Sequence, residues 1–280
     1  MRGCVSPASE DDLGTPVPLP AAGVRRVVSL VPSLTESVAV SGTGLLVGAT
    51  DWCSHPVDLD VARVRGTKNP DLQAVMALRP DVVLANEEEN RPADIAALRT
   101  AGLAVWVTAP WTLEAGLTSL ARMLAALGLG TPPWLSAARS AWAPAYAGPR
   151  RRALVPIWRR PWMALGRDTF AGDVLARLGV DNVCADDESR YPKVDLDAVR
   201  ARGVDLVVLP DEPYAFSLRD GPEVFAGWGV PVACVSGRHL TWYGPSLAEA
   251  RQMLGGQLAA AATPPAGVGK DPTTPEGRVP

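Results

Sequence analysis

From residue 24 to 262, short β-branched runs alternate with stretches of helical periodicity, which is the pattern of βα units feeding a parallel sheet. Strands are expected at 26–31, 46–50, 81–85, 104–108, 153–157, 205–209 and 231–235. Helix starts carry their own chemistry. Ser33-Leu-Thr-Glu36 and Ser246-Leu-Ala-Glu249 both have the spacing of capping boxes. At Asn69-Pro70-Asp71, Asn69 is placed to cap, Pro70 to take the first helical position and Asp71 to face the positive end of the helix dipole.

The chain also repeats itself. DLQAVMALRPDVVLAN (71–86) and DLDAVRARGVDLVVLP (195–210) align without gaps and match at seven of sixteen positions. Each reads as a helix running into a strand, followed by a polar loop, a helical stretch and a further strand, GLAVWVT in one half and GVPVACVS in the other. Two similar α/β lobes are therefore expected, 24–130 and 148–262, joined by a connecting helix over 131–147 that Pro132-Pro133 starts and Pro144 troubles. Residues 1–23, rich in Pro, Ser and acid, and 263–280, rich in Pro, Gly and Thr, read as disordered tails.

Composition narrows the class. With 280 residues, 47% of them apolar, the chain can bury a real core. A net charge of −3 gives no electrostatic ground for a nucleic acid or an anionic membrane surface as partner. Cys4, Cys53, Cys184 and Cys234 are widely spaced, and only His55 and His239 stand beside them, so a structural zinc site is not expected. No stretch reaches the length of a membrane span; the best, 117–129, is broken by Arg122. The first 25 residues lack the apolar run of a secretory signal, and nothing apolar precedes Cys4 as a lipoprotein site would need, so the sequence as it stands reads as cytoplasmic.

In open parallel sheets ligands bind beyond the carboxyl ends of the strands, and those loops are rich in aromatics here. The first half places Ser33, Asp51, Trp52, Asn86, Glu87, Asn90 and Trp111 there; the second places Trp158, Arg159, Trp162, Tyr214, Arg238, His239 and Trp242. Nine tryptophans stand against three phenylalanines, and five of the nine fall in these loops, where large flat rings suit a broad, partly apolar ligand. Any single ring can equally cap a sheet end as ordinary core. Glu87-Glu88-Glu89 fits a solvated loop, a ligand contact or a hard-cation site, though three consecutive carboxylates cannot all point one way. His239 could ligate a metal within a bound chelate or simply be hydrogen-bonded. Catalytic signatures are missing: Gly42-Thr-Gly44-Leu-Leu-Val-Gly48 follows a helix and leads into a strand, the reverse of a dinucleotide loop, and no phosphate-loop, nucleophile-elbow or zinc-protease motif occurs.

RVVSLVPSLTE (26–36), VGATDWCSHP (47–56), GTKNPDLQAVMALRPDVVLANEEEN (66–90) and SRYPKVDLDAVRARGVDLVVL (189–209) resemble the class III substrate-binding proteins, the helical backbone metal receptors, and most of all their cobalamin-binding members. The resemblance implies two Rossmann-like lobes with parallel sheets, joined by one helix, with a ligand held between them. It implies a monomer that binds a corrinoid, an iron-siderophore or haem for an ABC-type importer outside the cytoplasm, catalyses nothing and requires no cofactor. Carried over by position, it puts cleft contacts at Trp52, Asn86 and Tyr191, with Asn86 where an aromatic is usual. It puts the permease-docking acids at Gln73 and Asp197, of which Gln73 has lost its carboxylate and with it the charge-assisted pair an acid makes. An alternative keeps the fold but uncouples it from a transporter, as a cytosolic corrinoid-handling protein or enzyme.

Overall fold

A computed structural model describes residues 9–42, 44–216 and 221–261. The expected tail over 263–280 lies outside the described residues. The tail expected over 1–23 is different from Ser9 onward. Strands β1 (Ser9–Glu10) and β2 (Pro16–Val17) pair as a small antiparallel hairpin. Asp11 is buried: its carboxylate accepts Leu13 N at 3.0 Å and Thr15 N at 2.8 Å, and it pairs with Arg99 at 2.7 Å. Asp12 accepts Ala109 N at 2.9 Å and Ser119 Oγ at 2.5 Å. The acids that made this segment look solvated are the groups that dock it, because a basic side chain and free backbone N–H groups of the first lobe meet them.

The first lobe then runs β3 (Val27–Ser29), α1 (Pro32–Ala39), β4 (Leu46–Ala49), β5 (Ala62–Arg63), β6 (Arg65–Gly66), β7 (Asn69–Pro70), α2 (Leu72–Ala77), β8 (Val82–Asn86), α3 (Pro92–Thr100), β9 (Val105–Thr108) and α4 (Leu113–Ala126). Its five-stranded sheet has the order β5-β4-β3-β8-β9 and is parallel throughout. After α5 (Pro133–Trp142) the second lobe follows with β10 (Arg151–Leu154), β11 (Pro156–Arg159), β12 (Trp162–Ala164), α6 (Phe170–Ala176), β13 (Val180–Asn182), α7 (Leu196–Arg200), β14 (Leu206–Pro210), β15 (Val232–Val235), α8 (Gly237–Thr241) and α9 (Leu247–Ala259). Its sheet, β13-β10-β14-β15, is also parallel, and β11 with β12 forms a separate antiparallel hairpin. The run expected as one strand at 153–157 is thus divided between β10 and β11.

Apart from the additional edge strand β5 of the first lobe, both sheets share one order: β4-β3-β8-β9 and β13-β10-β14-β15 are each 2-1-3-4, with the chain reversing direction across the sheet beside the first strand of each lobe. The repeated sequence falls on equivalent elements: Asp71 caps α2 by accepting Ala74 N at 3.0 Å, Asp195 caps α7 by accepting Ala198 N at 3.0 Å, and β8 and β14 follow at the same place in their sheets.

Three helix starts differ from expectation. Asn69 and Pro70 pair with β6, which leaves Asp71 as the cap. α1 begins at Pro32, whose fixed φ suits a first helical position, so Ser33 already lies inside the helix and makes no cap. Ser246 precedes α9 but its backbone is helical and its side chain caps nothing. The two glutamates of these boxes, Glu36 and Glu249, have other partners, described below. The lobes share one hydrophobic core that includes Leu34, Leu117 and Trp106 from the first and Phe170, Tyr243 and Leu247 from the second. α5 is pinned at both ends, Trp134 Nε1 donating to Ser41 Oγ at 2.8 Å and Trp142 Nε1 to the Leu247 carbonyl at 2.9 Å.

Candidate functional site

The loops beyond the carboxyl ends of the two sheets meet, and side chains of the first lobe bond to side chains of the second. At the base, Tyr243 of the second lobe is buried with its hydroxyl 2.8 Å from Thr108 Oγ1, and it accepts Asn86 Nδ2 at 2.8 Å. Burial, deepened by the negative charge of Glu89, holds the Tyr243 hydroxyl well above the usual tyrosine range. Beside it, Arg238 Nη2 donates to Glu36 Oε1 across the lobes, while His239 lies between Ser236 Oγ at 2.8 Å and Glu249 Oε1 at 3.1 Å. The acids of the two apparent capping boxes thus converge on neighbouring residues, Arg238 and His239, one acid from each lobe.

At the rim, Arg190 Nη1 reaches Glu88 Oε1 at 2.6 Å and Tyr191 Oη donates to Glu88 Oε2 at 2.9 Å, again from lobe to lobe. The Arg190 guanidinium lies 4.9 Å from the ring centre of Trp111. His55 meets Trp242 edge-on at 5.6 Å, and Trp242 Nε1 donates to Glu212 Oε2 at 3.0 Å. Burial lowers the basicity of His55, helped by the nearby charge of Arg238. Between the two levels lies Glu89, whose carboxyl burial pushes up to about 7; Lys68 opposes that shift, and Glu88 and Glu212 add to it.

The residues expected from sequence divide into three groups. Trp52, about half exposed, and Trp111, also about half exposed, stand on the first rim with the exposed Asp51 and Glu87; Tyr191, Arg238 and Trp242 stand opposite. Trp158, Trp162 and Tyr214 gather instead into an aromatic cluster of the second lobe: Trp158 meets Tyr214 at 5.5 Å, Tyr214 meets Phe216 at 4.6 Å, and Trp162 stacks on Phe216 at 6.1 Å, with Arg159 5.9 Å from the Trp162 ring. Asn86, Asn90 and His239 are buried with their polar groups engaged inside the protein. Asn86 Oδ1 accepts the N–H groups of Glu88 and Glu89 at 2.8 and 3.0 Å, and Asn90 Oδ1 accepts Asn86 N at 2.9 Å, so the pair shapes the acidic loop. Both ring nitrogens of His239 already have partners. Gln73 and Asp197 are exposed at equivalent positions on α2 and α7.

Four buried groups between the lobes have polar atoms without a partner: Ser33 Oγ, Glu36 Oε2, Arg190 Nε and Nη2, and Arg238 Nε. Buried polar atoms are normally satisfied, so these stand out, as do Trp106 Nε1 and Ser246 Oγ elsewhere in the fold. Glu36 and Arg190 are the contributors a strand-end census misses, and of the three acids after β8 it is Glu88 that bonds across the lobes. Glu36 carries a helix-cap spacing, and Arg190 follows β13, a three-residue strand with too little pattern to be seen; the partial signal was the SRYP segment itself. Among the described residues no cluster of three or more His, Cys, Asp or Glu assembles into a metal site, and no helix is long and apolar enough to cross a membrane. Two shallow surface hollows lie elsewhere, one beside α5 and α9 at Ala141 and Arg251, the other beneath the β1–β2 hairpin at Trp106 and Arg122.

The arrangement has known counterparts. The periplasmic vitamin B12 binding protein BtuF of Vibrio cholerae superposes with a TM-score of 0.67 at 20% identity, covering 85% of this chain and 97% of that one. The fold is that of the class III substrate-binding proteins. The periplasmic heme-binding protein RhuT from Roseiflexus sp. RS-1 shares this class III fold with a TM-score of 0.71 at 20% identity, covering 84% of this chain and 98% of that one. In sequence, the vitamin B12-binding protein of Yersinia pestis is 24% identical over 264 residues, 88% of this chain and 90% of its own. No family model matches the chain. These class III relatives are described by their names as binding proteins rather than enzymes.

Proposed function

We propose that the protein is the solute-binding component of an ABC-type uptake system and holds a corrinoid, or otherwise an iron chelate such as haem or a siderophore, between its lobes without chemical change. The observation that carries this reading is the set of unpartnered buried polar atoms on Ser33, Glu36, Arg190 and Arg238, with Trp111 against Arg190, Trp242 against Arg238 and Trp52 exposed in the loop after β4. A flat chelate offers faces to the rings and polar arms to those atoms. The names of the relatives in the preceding section, vitamin B12-binding and heme-binding, fall within the same ligand class.

Docking to a permease takes place through exposed acids on the outer helices in this reading. Asp197 supplies one, while Gln73 offers only a neutral hydrogen bond, so the second lobe carries the charged contact. The test is a titration of the purified protein with cyanocobalamin, haem and ferric siderophores, followed by tryptophan emission. Quenching that saturates, and that weakens in Trp52→Ala and Trp111→Ala, is expected; emission unchanged by every probe eliminates the reading.

A further inference from the structure

Binding between the lobes, which this inference presupposes, leaves open what the polar edge of the ligand must look like, and Arg190 answers that. Its guanidinium uses Nη1 for Glu88 at 2.6 Å and one face for Trp111 at 4.9 Å. The remaining two donors, Nε and Nη2, are buried and unpartnered. Together they form one edge of the guanidinium fork, the edge that meets the two oxygens of a carboxylate or phosphate through parallel N–H···O bonds. Burying such an edge without an acceptor is unfavourable, and an ionised acid satisfies it more fully than any neutral group.

The backbone that carries this side chain is held in place. Gly166 N donates to the Arg190 carbonyl at 2.8 Å, and a Cβ at Gly166 would fall 2.2 Å from the Ser189 carbonyl oxygen and 2.9 Å from that of Arg190, so only glycine lets the segment lie so close. Glu88 is held in turn by Tyr191 Oη and by Lys68, whose Nζ donates to the Glu88 main-chain carbonyl. Arg238 differs: it shows one unpartnered donor, Nε, while Glu36 takes Nη2, so it lacks a complete free edge.

We propose that the cleft selects a planar chelate bearing an ionised acid arm, received by the Nε–Nη2 edge of Arg190, with Glu88 holding the opposite end of the guanidinium and tempering its charge. An amide or ester arm offers one neutral acceptor and forfeits the second charge-assisted bond. Glu88, an anion beside the arm, works against it, so neutralising Glu88 sharpens the preference.

Two probe pairs separate the sources of the acid. Haem against its dimethyl ester tests a carboxylate; cyanocobalamin against dicyanocobinamide, which lacks the phosphodiester loop, tests a phosphate. In the wild-type protein at least one pair is expected to differ in Kd by about tenfold or more, the acid form binding tighter. Arg190→Gln and Arg190→Lys, which keeps the charge without the edge, should reduce that difference to about twofold, and Glu88→Gln should widen it. Thermal melts of each variant separate loss of the arm contact from loss of fold. If probes bind but neither pair discriminates, or discrimination survives in Arg190→Lys, the acid-arm assignment is overturned and solute binding stands. If none of the four probes binds, the solute-binding reading itself falls and takes this assignment with it.

Discussion

Two acids, Glu36 buried and Glu89 partly so, show how single residues set the behaviour of the site. Glu36 is 6% exposed and bonded to Arg238 from the other lobe. Removing one partner of such a pair leaves the other charge buried without compensation, so Glu36→Ala should lower stability by about 3 kcal/mol in urea unfolding. Glu89 acts in the opposite direction. Its carboxyl titrates near 7 in the folded protein against 4.5 ordinarily, chiefly through burial, with Glu88 and Glu212 adding repulsion and Lys68 relieving some of it. Between those values the folded chain holds a proton that the unfolded chain has released, so this contribution to stability is complete below about pH 4.5 and is lost as pH rises through 7. Glu89→Gln should therefore leave the melting temperature nearly unchanged at pH 5 and raise it at pH 8, by up to about 3 kcal/mol in free-energy terms. The sequence showed three acids in a row but could not rank them. Which one faces solvent, which an arginine and which a low-dielectric gap depends on Asn86 and Asn90 folding the loop, and on residues more than a hundred positions away.

At the scale of elements, local chemistry was legible where it needed no distant partner. The cores of six of the seven expected strands reappear and the seventh is divided, while the cap expected at Asn69 falls to Asp71, as Asp195 caps the equivalent helix, because an Asx side chain reaches the N–H groups that follow it wherever the chain goes. Asp71→Ala and Asp195→Ala should each destabilise by about 1 kcal/mol. The capping boxes failed for the complementary reason: Ser33 and Ser246 have the right spacing, but Glu36 and Glu249 find stronger partners across the fold. The docked hairpin was invisible for the same cause, since nothing in residues 9–17 announces Arg99 or Arg122. Asp11→Ala removes the acceptor for Arg99 and for the N–H groups of Leu13 and Thr15. A loss of about 3 kcal/mol is expected, together with faster amide exchange at Leu13 and Thr15 by hydrogen–deuterium measurement.

Over the whole molecule, the repeat of strand order and the shared core decide how the lobes can move. Leu34, Leu117, Phe170, Tyr243 and Leu247 belong to one continuous apolar body, and α5 is fastened to both sides of it, so a wide hinge opening would tear core packing. The radius of gyration by small-angle scattering should accordingly stay the same, within error, on saturation with whichever probe binds. Two lobes were legible from the internal echo alone, because a duplication preserves apolar spacing; the way they lock together was not, because the locking residues are single polar side chains with no period. The proposed guest follows the same division, the fold read from pattern and the selectivity from isolated charges.

The placement of Trp111 beneath Arg190 has one more consequence. An indole beside a cation has its emission shifted by that charge, and in the proposed binding mode the cation is the group that meets an incoming anion. The protein therefore carries its own optical gauge, one that responds to the electrical character of whatever enters rather than to its bulk, and a copy retaining Trp111 as its sole fluorophore at the rim would make that response readable without any added dye.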